Sequence, residues 1–77
     1  MKINFSYNRL IKVTKHESNS IIEVPDKCTV RDLFTLLEIP NILQQSIVVH
    51  INNEPAWNST ILKENDSVTL IPMIGAG

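Results

Sequence analysis

Seventy-seven residues leave room for one domain around one core, which at this size buries only about 60% of the surface an unfolded chain exposes. Seven basic and eight acidic residues give a formal charge of −1 with no long run of either sign. That balance argues against nucleic acid, whose binders gather Lys and Arg on one face to displace counterions. A lone cysteine, Cys28, forms no intramolecular disulfide, and no apolar stretch approaches the roughly 20 residues that span a bilayer, so the cytoplasm is the expected setting and no membrane partner is expected.

Lys2-Ile3-Asn4-Phe5-Ser6-Tyr7 alternates polar and apolar residues and predicts a strand with Ile3, Phe5 and Tyr7 on one face. Turn-forming residues on either side of Leu10-Ile11-Lys12-Val13 predict a long, irregular hairpin, and its basic cluster from Arg9 to Lys15 reads as a solvated loop. Residues 20–24 are the returning strand, closed by Pro25, which removes a ladder donor. Thr29 then sits at an N-cap position with Asp32 three residues on, a capping box with a shortened acid. Val30, Leu33, Phe34 and Leu37 recur at i, i+3, i+4 and i+7, the apolar face of an amphipathic helix that Pro40 is expected to stop near Glu38-Ile39.

Residues 47–52, rich in β-branched Ile and Val, predict a strand, followed by a turn at Asn53-Glu54-Pro55. Trp57 opens a short irregular section leading to Ile61-Leu62, and Lys63-Glu64-Asn65-Asp66 is a second turn. The last strand runs from Ser67 to Met73, with Val68 and Leu70 on one face, Thr69 and Ile71 on the other, and Pro72 marking its end. This order predicts an α+β fold: a mixed four- to five-stranded sheet packed on one main helix, with the first and last strands side by side in parallel at its centre. It is the β-grasp of ubiquitin-like proteins, expected here as a single domain over residues 1–77 with a flexible tail at 74–77.

Conventional catalysis finds few candidates. The only glycines are Gly75 and Gly77, so no loop cradles a phosphate. His16, His50 and Cys28 are dispersed, without metal-ligand spacing. Cys28 precedes a helix N-terminus, where a thiolate gains stabilisation, yet a lone cysteine there is more often a packed core residue. The expectation is a carrier or small subunit, with no metal and no stably bound cofactor.

The remaining feature is the end of the sequence. Both glycines fall in its last three positions, behind a strand placed at the sheet's centre. Asn65-Asp66-Ser67-Val68-Thr69-Leu70-Ile71-Pro72-Met73-Ile74-Gly75-Ala76-Gly77 resembles the MoaD/ThiS family of ubiquitin-like sulfur carriers, which commonly show a Gly-Asp-x-Val turn, a hydrophobic strand, a proline near its end and a terminal Gly-Gly. Asp66, Val68, Pro72 and Gly77 match that pattern. Asn65 replaces the turn glycine, an exchange that Asn's tolerance of the left-handed region permits, and Asn52-Asn53-Glu54 is similar to the family's Asn-Gly-Glu turn.

The resemblance implies that Gly77 is the reacting residue. An E1-like adenylating enzyme would use ATP to convert its carboxylate to an acyl-adenylate, and a sulfur donor would turn that into a thiocarboxylate. A sulfur-accepting synthase subunit would then consume it in molybdopterin or thiamin biosynthesis. Gly75 and Ala76 would thread the partner's channel, and Ile71, Met73 and Ile74 would form the partner interface, although ordinary sheet packing also accounts for Ile71 and Met73. Ala76 departs from the family's penultimate glycine. It leaves open a second class of function, a ubiquitin-like interaction module or accessory subunit that is never acylated, and a third, a protein modifier.

Overall fold

The period-two pattern of the N-terminus forms β1 (Lys2–Tyr7), and the chain returns as β2 (Ser20–Glu23), antiparallel with Phe5 opposite Ser20. The computed structural model describes residues 1–8, 10–11, 13 and 16–73. It continues through α1 (Val30–Leu36), α2 (Asn41–Gln44), β3 (Ile47–Ile51), β4 (Glu54–Pro55) and β5 (Ser67–Pro72). Among the described residues the sheet has five strands in the order β2-β1-β5-β3-β4. β5 lies at its centre, parallel to β1 and antiparallel to β3. The fold is the α+β β-grasp read from the element order.

One face of this sheet meets α1. Val30, Leu33, Phe34 and Leu37 are buried against Ile3, Phe5, Val49, Val68 and Leu70, each such side chain contributing about 1.5–3 kcal/mol on full burial. Thr29 caps α1 as expected: its hydroxyl accepts from the Asp32 amide, and the Asp32 carboxylate accepts from the Thr29 amide, both at 3.1 Å. The 58–62 segment braces the same end, where the Val30 amide donates to the Thr60 carbonyl and the Leu62 amide to the Cys28 carbonyl.

β2 and β5 each end one residue short of the sequence reading, and larger differences lie around α1 and the β3–β4 turn. α1 stops at Leu36 with Leu37 as its cap, before Pro40 can act. Glu38 adopts a left-handed φ of 58°, so that Ile39 donates back to the Phe34 carbonyl and Glu38 to the Thr35 carbonyl, a Schellman termination. Pro40 instead caps α2, a four-residue helix that buries none of its residues and so leaves no periodic apolar signature. β3 ends at Ile51, and the turn consists of Asn52 and Asn53, at φ 53° and 69°, rather than residues 53–55. Two successive positive φ values favour a tight hairpin, and Glu54–Pro55 become a short edge strand, where proline's missing donor faces no partner.

Candidate functional site

β5 begins in a network that the chain uses to set its position. Asp66 is buried; it accepts from the Asn52 side-chain amide at 2.9 Å with Oδ1 and from the Lys63 main-chain amide at 2.8 Å with Oδ2. The Asn52 side-chain carbonyl accepts from the Ser67 amide, and the Asn52 amide donates to the Ser67 carbonyl. Asn65 stands at φ 68°, the left-handed conformation that a glycine would otherwise fill. The two turns read from the sequence are therefore one structure, tying the β3–β4 hairpin to the first residue of β5.

From that base the strand runs between β1, which flanks it as far as Leu70, and β3, which flanks it to Pro72. Val68 and Leu70 are fully buried on the α1 side, as alternation requires. Ile71 pairs with Val48 and Pro72 with Ile47. Beyond the strand, the Met73 amide still donates to the Ser46 carbonyl at 2.8 Å. The main chain is thus held on β3 up to the residue immediately before Ile74.

Two surfaces flank this point. On the face away from α1, Ile71 and Val48 are half-buried beside each other, and Met73 is 53% exposed. Neither Ile71 nor Val48 belongs to the core cluster, whereas their neighbours Leu70, Val49 and Ile47 pack in or against it. On the α1 face, Pro72 joins the exposed Leu43 and Leu10 in lining an apolar cleft. Of the site residues read from the sequence, Ile71 and Met73 are placed on one face at the end of the central strand. Ile74, Gly75, Ala76 and Gly77 lie outside the described residues.

Val48 and Ser46 were missed as neighbours of this site. Val48 was legible, because it alternates with the core residue Val49; the Ser46 contact was not, because it is made through the main chain.

The other candidates resolve into structure. Cys28 is buried with its thiol donating to the Thr29 carbonyl at 3.4 Å. Burial, and secondly the negative charge of Asp32, push its pKa above the ordinary 9.0, opposite to the activation that a helix N-terminus can give. His50 lies opposite Thr69 on β5, and His16 serves through its carbonyl, which accepts the Tyr7 hydroxyl at 2.8 Å. Among the described residues no three His, Cys, Asp or Glu side chains are grouped to hold a metal ion, and no helix is long and apolar enough to cross a membrane.

Comparison with known proteins agrees with this architecture. The family model described as the ThiS family matches residues 6–77. No curated protein matches the chain. Solved structures that share its fold include the following two. SAMP1 from Haloferax volcanii aligns over 100% of both chains with a TM-score of 0.69 and 20% identity. A structure of H. volcanii small archaeal modifier protein 1 aligns over 95% of this chain and 98% of its own, with a TM-score of 0.68 and 20% identity. Since the family match takes in the central strand, both turns that anchor it and the Gly-Ala-Gly that follows, the chain belongs to the ThiS family of small ubiquitin-like carrier proteins.

Proposed function

We propose that the chain carries sulfur on the carboxyl group of Gly77. That group is an anion at neutral pH, with a pKa of about 3.3–3.7, and resists nucleophilic attack. An E1-like enzyme first lets the carboxylate oxygen attack the α-phosphorus of ATP, releasing pyrophosphate and leaving an acyl-adenylate. A sulfide equivalent then adds to the acyl carbon, and AMP departs with the electrons of the C–O bond. The resulting thiocarboxylate delivers its sulfur to a synthase subunit of molybdopterin or thiamin biosynthesis. The cytoplasm is the proposed setting of this cycle.

The observation that supports this reading most is the hydrogen bond from Met73 to Ser46 at the end of a central strand. Four residues, Ile74-Gly75-Ala76-Gly77, follow a root held against β3, on a strand that β1 also flanks as far as Leu70. Glycine allows close approach of a partner's walls to the backbone. Ile71 and Met73 supply an apolar landing beside that root, and Ile74 is the next side chain along, so these three are the proposed partner interface. No side chain is required as acid, base or nucleophile, because the reacting group is the carboxylate of Gly77, which suits a carrier acting with partner enzymes.

Ala76 favours a second reading, an interaction module that docks by the same face but is not acylated, because its methyl group narrows the fit to a channel shaped for glycine. Attachment to a lysine of another protein shares the adenylation step and differs only in the nucleophile. Adenylation is therefore the step to test. With the E1-like partner present, the chain should stimulate exchange of labelled pyrophosphate into ATP, and a chain lacking Gly77 should not. Equal exchange with and without Gly77, or none with either, would overturn the proposal.

A further inference from the structure

Two stretches of the sequence carry no charge. None of the seven basic and eight acidic residues falls in 39–53 or in 67–77; every one lies in 1–38 or 54–66. The fold lays the two stretches side by side, because β3 and β5 pair from Ile47–Pro72 to Ile51–Val68. Burial in the core accounts for Val49, Val68 and Leu70, but not for Leu43, 48% exposed, or Met73. Charge depletion that extends to exposed positions is the compositional mark of an interface centre.

These exposed positions stand where β5 ends. On the α1 side, Leu10, Ile11, Ile39, Leu43, Ile47 and Pro72 line a cleft of about 260 Å³, to which Ser46 adds a polar residue. The volume falls below the roughly 300–1,000 Å³ of small-molecule pockets and suits an aliphatic side chain better than a metabolite. Leu10, 66% exposed, and Leu43 leave branched apolar groups uncovered at its mouth. The cleft adjoins the strand end directly, since Pro72 is the last residue of β5 and the Ser46 carbonyl holds the Met73 amide. Ile71 and Val48 lie on the other face of the same strand pair.

Chain length sets how near a partner must come. Gly77 is four residues past Met73, and four residues of any conformation span at most about 14 Å. An enzyme that takes the Gly77 carboxylate into its active site therefore brings the mouth of that site against this end of the sheet. We infer that the E1-like partner closes on the end of β5 from both faces and fills the α1-side cleft with an aliphatic side chain from the rim of its own channel. An apolar anchor seated in a pocket is the kind of contact that dominates binding. The inference rests on the proposed adenylation of Gly77 and adds a second docking surface to the Ile71–Met73 face.

The test is titration calorimetry of the E1-like enzyme with the full chain, alongside pyrophosphate exchange. Leu43→Asp and Leu10→Asp put a charge at the mouth of the cleft from two separate segments, so a loss of folding in one leaves the other to decide. Ile21→Asp, at a 68% exposed position on the edge strand β2, is the control. The two cleft variants should each weaken binding at least about tenfold while melting as the native chain does. Ile21→Asp should bind as the native chain does. In exchange, the cleft variants should raise KM and keep kcat, because Gly77 is untouched. Native affinity in both cleft variants would overturn the inference and leave adenylation standing. Self-association of the native chain that the cleft variants abolish would assign the cleft to a second copy, and would overturn it equally. Binding that the cleft variants weaken, without any exchange, would instead remove the proposed function and leave the docking surface standing. No binding of the native chain would overturn both.

Discussion

The Asn52 side-chain amide donates to the Asp66 carboxylate at 2.9 Å, joining two turns 14 residues apart at the base of the central strand. Asp66 is the single buried polar or charged residue among those described, and both of its carboxylate oxygens are engaged. Removing it leaves the Lys63 amide and the Asn52 side chain without their acceptor. Asp66→Ala should therefore cost about 1–3 kcal/mol in urea unfolding, and Asn52→Ala should cost more than Asn52→Gly, because alanine also resists the left-handed φ. Equal losses for the two Asn52 variants would show that backbone conformation contributes little there.

Asn53 and Asn65 allow a test in the opposite direction. Both have φ near 70°, where glycine is accommodated without a Cβ clash. Asn53→Gly is expected to stabilise by a few tenths to about 1 kcal/mol, since Asn-Gly is the favoured pair for a two-residue hairpin turn. Asn65→Val should destabilise by about 1–2 kcal/mol. Thermal or urea melts of the two variants check both signs.

Much of this was readable in the residues themselves. The 3.6-residue spacing of Val30, Leu33, Phe34 and Leu37 and the alternation through Val68 and Leu70 report burial directly, and burial is what a sequence encodes most plainly. The match of Asp66 to a family turn, with Asn65 in place of its glycine, was visible as well, though not that Asp66 reaches Asn52, because that contact joins separate turns. The end of α1 was misplaced by two or three residues. Proline marks where a helix cannot continue, whereas Glu38 ends this one earlier by taking a left-handed conformation usually left to glycine. α2 and the Ser46–Met73 bond are set by main-chain geometry, which leaves no side-chain pattern to read.

Cys28 gives a pH-dependent prediction. Burial first, and the Asp32 charge second, raise its pKa in the folded state, so the folded protein holds the thiol proton more tightly than the unfolded chain. Its contribution to stability is fully present below the ordinary thiol value of 9.0 and declines as the pH rises above it. Between pH 8 and 10, the native chain should lose more stability than Cys28→Ala does. Alkylation of Cys28 at pH 7 should be slow until denaturant is added; rapid alkylation of the folded chain would contradict a buried, protonated thiol.

The open face beside the strand end can be separated from the core by substitution. Met73 is 53% exposed, so Met73→Glu should change stability by no more than about 0.5 kcal/mol. If Met73 and Ile71 form the partner interface, the same substitution should weaken binding to the adenylating enzyme at least about tenfold, equivalent to roughly 1.4 kcal/mol. Titration calorimetry with native affinity retained would return Met73 to the role of an ordinary surface residue.

The most direct measurement of the central claim is intact-mass spectrometry of the native chain after incubation with ATP, an E1-like partner and a sulfur donor, with fragmentation to locate any change. The expected product has one oxygen exchanged for sulfur at Gly77 and nowhere else. An unmodified native chain, under conditions in which Ala76→Gly acquires the sulfur, would contradict the claim.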